Sequence, residues 1–218
     1  MNKKQLLLSF FVAAASANIW GQITGQFALA AVSKVLIIPA LAALTVTEGS
    51  PPKKYLLALF FSWLGDSFLI LDGVLYFALG IGSFWGAQLL YCTLILKELK
   101  GGLFAQFKKK NTLGYGTVFL LYLIGMLAII TPSLQELKIP VTLYAATLCI
   151  TGFLGLACAI ESHSSTAKLL AIGCVLFIVS DSMIAFDAFY FDEKKFGYWI
   201  MATYVPAQYF ISRHLARR

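Results

Sequence analysis

The sequence is short of charge, of histidine and of polar breaks. Only 12% of its 218 residues are charged, against 60% hydrophobic, whereas soluble domains run near half apolar and a quarter charged. That shortage excludes an ordinary water-soluble domain, and a mean hydropathy of +0.81 places the chain in a membrane. With two histidines, His163 and His214, a three-histidine zinc hydrolase is excluded by count. Both are expected in a cytoplasmic loop or tail, away from the acidic residues singled out below. There is no G-x-S-x-G, so a serine-hydrolase elbow has no support. Gly80-Ile81-Gly82 has no strand before it and lacks the third glycine of a dinucleotide motif; helix packing accounts for it. Cys92, Cys149, Cys158 and Cys174 lie in apolar stretches without C-x-x-C spacing and read as buried packing residues. Neither a cofactor nor a metal is expected.

What the sequence does have is long apolar runs. Backbone polar groups in lipid must be satisfied internally, which leaves a helix bundle or a closed barrel, and runs of this length exclude the barrel. The fold class is all-α: a polytopic bundle of about eight transmembrane helices forming one domain over residues 1–218. The runs predict helices at 5–22, 27–46, 54–72, 75–97, 112–131, 138–160, 165–190 and 196–214. The start, with Lys3 and Lys4 before a Leu/Phe/Ala stretch and Ala15-Ser16-Ala17, also fits a cleavable signal peptide.

A net charge of +7 would point to nucleic acid in a soluble domain. Here the basic residues fall between apolar segments, so they report topology and no nucleic-acid partner is expected. An N-terminus in the cytoplasm leaves Lys138, Lys194 and Lys195 outside and Lys34 within a helix. It gathers the rest of the 17 basic residues inside, including Lys53, Lys54, the Lys108-Lys109-Lys110 run, Arg213, Arg217 and Arg218. The positive-inside rule therefore puts both termini in the cytoplasm. The triple-lysine run reads as a topogenic, headgroup-contacting segment. The expected location is a bacterial inner (plasma) membrane.

Asp66-Ser67-Phe68-Leu69-Ile70-Leu71-Asp72 resembles Asp181-Ser182-Met183-Ile184-Ala185-Phe186-Asp187, and each is followed one helix later by Ala-Gln, at Ala87-Gln88 and Ala207-Gln208. This points to two parallel four-helix halves, 1–105 and 106–218, and sites in such proteins lie where repeats meet. Ionisable groups inside membrane helices cost several kcal/mol and call for a partner and a purpose. Lys34, Asp66 and Asp181 qualify, and at about 1.5 Å per residue they reach one layer in the outer half of the membrane. Gln88 with Tyr91, and Tyr204 with Gln208, share helix faces. Asn18, Ser62, Ser67, Ser180, Ser182 and Thr203 add polar groups at similar depth, for which bridging between helices is the simpler reading. Asp72 and Asp187 are expected at solvated helix ends. Two carboxyls sharing an apolar site divide roles, one keeping its proton and one ionised, which is an acid/base pair. Such a pair suits hydrolysis of an ether- or acetal-like bond, and equally a proton relay.

Ser62-Trp63-Leu64-Gly65-Asp66 resembles the S-x-x-G-D motif of the YhhN family, Phe177-Ile178-Val179-Ser180-Asp181-Ser182 its F-x-x-S-D-S, and Thr203-Tyr204-Val205-Pro206-Ala207-Gln208 its T-Y-x-x-A-Q. The resemblance spans most of the chain. Gln88 departs from it, standing where the pattern has a histidine between Phe84 and Tyr91. So does the neighbourhood of Lys34, where relatives often have proline directly after the lysine and this chain has Pro39. Family members include lysoplasmalogenases. The resemblance implies a membrane hydrolase that cleaves the vinyl ether of a lysophospholipid, with Asp66 and Asp181 catalytic and Lys34, Gln88, Tyr91, Ser180, Tyr204 and Gln208 orienting substrate or water. The expected partners are membrane lipid and the lysophospholipid substrate. A proton-coupled transporter of small molecules or lipids is the alternative.

Overall fold

The computed structural model describes residues 2–191 and 195–217; Lys194 and Arg218 lie outside the described residues. It is all helix: α1 (Lys3–Ile23), α2 (Phe27–Glu48), α3 (Lys53–Phe68), α4 (Val74–Leu96), α5 (Gly102–Lys108), α6 (Lys110–Ile130), α7 (Lys138–Ser162), α8 (Ser165–Phe189) and α9 (Gly197–Leu215), with two 3₁₀ turns between α6 and α7. Eight of these are the expected helices. Among the described residues six are long and apolar enough to cross a membrane by themselves: α1, α2, α4, α6, α7 and α8. The two others are α3 and α9. At 16 residues, α3 reaches only ~24 Å, less than the ~30 Å hydrocarbon core.

Two local expectations fail. The third helix stops at Phe68 instead of running to Asp72, because Ile70 and Leu71 turn back onto the carbonyls of Ser67 and Phe68 and Gly73 adopts φ 119°. Asp72 therefore sits in a loop while Asp187 stays helical. The short α5 has no counterpart among the predicted helices, since its seven residues do not complete two turns and leave no period to read. Beside it the lysine run is not simply a lipid contact: Lys109 pairs with Glu161, which also accepts from Gln106 at 3.2 Å.

The helix ends are chemically marked. Asn2 and Gln5 form a reciprocal capping box on α1, Ser164 accepts from the amide of Ala167 to start α8, and His163 ends α7 in the left-handed region. Proline at position 39 cannot donate to the carbonyl of Val35, and the Trp63 indole does so instead at 3.0 Å. A helix break thereby becomes a bond from α2 to α3.

α1 packs on α2, α2 on α3, α3 on α4, α4 on α7, α7 on α8, α8 on α9 and α9 back on α1, so seven helices close a ring. α6 stands outside it against α7 and exposes Leu113, Val118, Leu120, Leu121 and Ile124, as a lipid-facing helix must. Both termini lie at one end, where Glu48 holds Lys4 at 2.8 Å and Arg213 at 2.7 Å. All four cysteines are buried and unbridged.

Small residues let the ring close. A Cβ on Gly65 would lie 2.6 Å from the Phe84 ring, and one on Gly173 would lie 2.9 Å from the backbone carbonyl of Ala207. The second obstacle cannot swing aside as a side chain can. Gly173→Ala is therefore expected to lower the melting temperature in detergent, by an amount equivalent to about 1–3 kcal/mol. Gly82→Ala, with nothing within 4 Å of the added carbon, should leave it unchanged or raise it, since alanine favours the helix by up to ~1 kcal/mol.

Candidate functional site

The ring encloses a buried polar layer to which six of its helices contribute. α3 supplies Asp66, 2% exposed, and α8 supplies Asp181, 8% exposed. Lys34 reaches from α2, with its Nζ 3.6 Å from Oδ1 of Asp66. On the other oxygen of Asp66, the Tyr204 hydroxyl of α9 donates at 2.7 Å. Tyr204 in turn accepts from Gln208 Nε2 at 3.2 Å, and Gln208 Oε1 accepts from the Tyr91 hydroxyl of α4 at 2.8 Å. Asp66 thus stands at the head of a continuous hydrogen-bonded ladder. One helical turn separates Tyr204 from Gln208, as the shared-face reading requires.

Asp181 is held differently. The hydroxyl of Tyr144, on α7, donates to its Oδ2, while its Oδ1 has no hydrogen-bond partner among the described residues. Beside it, Tyr122 of α6 bonds Ser182. Asp66 and Lys34 both act electrostatically on Asp181, and Asp66 acts on Tyr144. The two carboxyls therefore share one field while differing in partners, an ammonium and a phenol for Asp66 against a phenol alone for Asp181. Phe84, Phe177 and Tyr204 pack edge to face with centroids 5.4–6.2 Å apart and wall the layer with apolar surface. Phe84 reaches α3 only because residue 65 has no side chain.

Of the residues singled out from the sequence, Lys34, Asp66, Tyr91, Tyr204 and Gln208 join one hydrogen-bonded and ion-paired set. Gln88 is 1% exposed, and neither atom of its amide has a partner among the described residues. It shares a helix with Tyr91 but no bond. Ser180 makes a bond outside that set: it donates to the Ile200 carbonyl at 3.1 Å, tying α8 to α9. Ser67 and Thr203 bond carbonyls of their own helices, and Asn18 bridges to the Ala30 carbonyl of α2 at 2.6 Å. Asp187 lies near the end of α8 as expected, and there it accepts from the amides of Lys195 and Phe196 at 2.8 and 3.0 Å, which fixes the entry to α9. Nor is His214 a tail residue. It lies within α9, its side chain 9% exposed.

Tyr144, which bonds Asp181, is a member of the candidate site that the sequence did not single out. It is 8% exposed and sits six residues into α7, as Lys34 sits seven residues into α2; each of these helices precedes one that carries an aspartate. That positional parallel was the available signal, masked by ten tyrosines of which most belong to apolar or interfacial surface.

A cavity of about 680 Å³ opens elsewhere, at the end holding Lys4, Glu48 and Arg217. Nearer the carboxyl layer, an apolar groove of about 340 Å³ runs between α6 and α7, lined by Leu113, Phe119, Leu123, Cys149, Ile150 and Phe153. No curated protein and no solved structure gives a significant match to the chain. Residues 29–215 match the sequence profile of the YhhN family, a span that contains both aspartates, the lysine and every member of the ladder, and the chain belongs to that family.

Proposed function

We propose that the chain is a membrane-embedded hydrolase that cleaves the vinyl ether of lysoplasmalogen-like lysophospholipids to a fatty aldehyde and a glycerophospho-alcohol. The observation that carries this reading is the unequal pair of buried carboxyls. Asp66 lies beside an ammonium and is suited to act as the anion. Among the described residues Asp181 has no salt-bridge cation, and one of its oxygens has no hydrogen-bond partner, which suits it to deliver a proton.

In this mechanism Asp181 protonates the vinyl carbon remote from the ether oxygen, and the carbon bearing that oxygen becomes an oxocarbenium ion. Asp66 stabilises the cation across the layer and removes a proton from the water that attacks it. Collapse of the hemiacetal returns that proton from Asp66 to the departing glycerol oxygen, while the hemiacetal hydroxyl gives its proton to Asp181, and both carboxyls recover their starting states. In this mechanism Tyr204, Gln208 and Tyr91 hold Asp66 in orientation, and the Gln88 amide, without a partner among the described residues, binds the water or a glycerol hydroxyl. The groove between α6 and α7 suits the hydrocarbon tail, which comes from lipid and loses no hydration on entry. An integral membrane setting follows from the helices; the bacterial inner membrane is part of the proposal.

Two predictions test this reading. With purified protein and a lysoplasmalogen in detergent, Asp66→Asn and Asp181→Asn should each lower aldehyde release by about 10²–10⁴-fold, the usual scale of general acid–base catalysis. Undiminished release in both variants would sink the assignment, and absence of release by the wild type together with solute uptake in vesicles would favour the transporter. Tyr144→Phe removes one hydrogen bond to a carboxyl, of about 1–2 kcal/mol, and is expected to lower kcat by roughly tenfold with little change in KM. A change confined to KM would place Tyr144 in substrate binding instead.

A further inference from the structure

Far from the aspartates, three side chains of different donor chemistry meet at the basic end of the bundle. Glu98 follows the end of α4, Cys158 lies in the last turns of α7 and His214 in the last turn of α9. Nε2 of His214 is 2.8 Å from Oε2 of Glu98. The Cys158 sulfur is 3.5 Å from that same oxygen and 3.8 Å from that same nitrogen. Cys158 is 1% exposed, and the side chains of His214 and Glu98 are 9% and 14% exposed. The three donor atoms lie within 4.8 Å of one another.

We propose that Glu98, Cys158 and His214 bind a zinc ion that joins α4, α7 and α9. Tetrahedral zinc holds sulfur at about 2.3 Å and nitrogen or oxygen at about 2.0–2.2 Å, which sets the donors roughly 3.3–3.6 Å apart. The two sulfur distances are close to this already, and the histidine–glutamate contact need open by only about half an ångström to meet the same spacing. A thiolate, an imidazole and a carboxylate form a donor set that suits zinc, whereas magnesium and calcium take oxygen ligands.

The histidine is also oriented as a ligand requires. Its Nδ1 lies 3.1 Å from the Thr166 hydroxyl, in the first turn of α8, which leaves Nε2 facing the other two donors. A hydrogen-bonded partner on the second ring nitrogen is the usual outer-shell support of a zinc-bound histidine. A glutamate–histidine ion pair alone would account for the 2.8 Å contact, but not for a buried thiol placed against both of its members. Cys158 stands 14 residues along α7 from Tyr144, roughly 21 Å, so the ion acts on the assembly of the bundle and takes no part in chemistry at Asp66 and Asp181. Three protein ligands leave the fourth position to water.

The test uses the full chain in detergent, stripped with a chelator and titrated with zinc against a chromophoric competitor, and separately with cobalt. The expected result is one zinc per chain, a higher melting temperature with zinc, and a thiolate-to-cobalt charge-transfer band in the near ultraviolet. Cys158→Ser and His214→Gln should each weaken zinc binding by more than ~10-fold, and Thr166→Val by about tenfold through loss of the outer-shell bond. Failure of the wild type to bind zinc at micromolar concentration would overturn the proposal. So would equal binding by the variants, or bound cobalt without the thiolate band. The last readout needs no substitution and holds even if a variant does not fold. None of these measurements involves lipid hydrolysis, so this proposal and the reading of the aspartates stand or fall separately.

Discussion

Carboxyl groups placed inside an apolar bundle need partners on the spot, because the solvent that would otherwise surround them is hydrocarbon. The cost of moving a carboxylate out of water is several kcal/mol even after relaxation. An ammonium at 3.6 Å returns about 5 kcal/mol at an effective dielectric near 20, and the Tyr204 hydroxyl adds a charge-assisted hydrogen bond. Lys34 and Tyr204 both answer Asp66 directly, and Gln208 and Tyr91 follow in turn, each bonding the group before it. Tyr144 answers the same problem for Asp181 with less, leaving one oxygen open to whatever enters the site.

That arrangement depends on helices that come close without filling the space between them. Gly65 lets Phe84 lie against α3 next to Asp66, and Gly173 lets α8 approach α9, bringing the Asp181 helix beside the one that carries Tyr204 and Gln208. Pro39 frees a carbonyl that Trp63 then binds, so α2 and α3 are registered one residue from Lys34. Each of these is a backbone device, and each lies within a turn or two of a polar group it positions. Stability and site geometry have the same source here, which is why Ser180 and Asn18, although they only bridge helices, share the depth of the site.

The eight long helices were legible in the sequence because a bilayer demands unbroken apolar runs, and such runs need no tertiary knowledge to recognise. Lys34, Asp66 and Asp181 were legible for the complementary reason, as charges where charge is costly. The early end of α3 and the presence of α5 were not, since a glycine with positive φ and a seven-residue helix leave no periodic trace. Tyr144 escaped because a tyrosine in a membrane helix carries no cost that marks it out. The bond of Ser180 to the Ile200 carbonyl was not legible either, since a serine hydroxyl beside an aspartate in sequence points along another face of the helix.

Composition and periodicity by themselves thus determined the membrane class and the helices, which are set by one-dimensional spacing along the chain. Only the tertiary structure decided which faces meet: that seven helices close a ring and α6 stays outside it, that Lys34 belongs to Asp66 and Tyr144 to Asp181, and that His214 joins Cys158 and Glu98. The physical reason is that partner choice depends on helix rotation and on close approach at small residues, and neither is written in the hydrophobic pattern of any single helix.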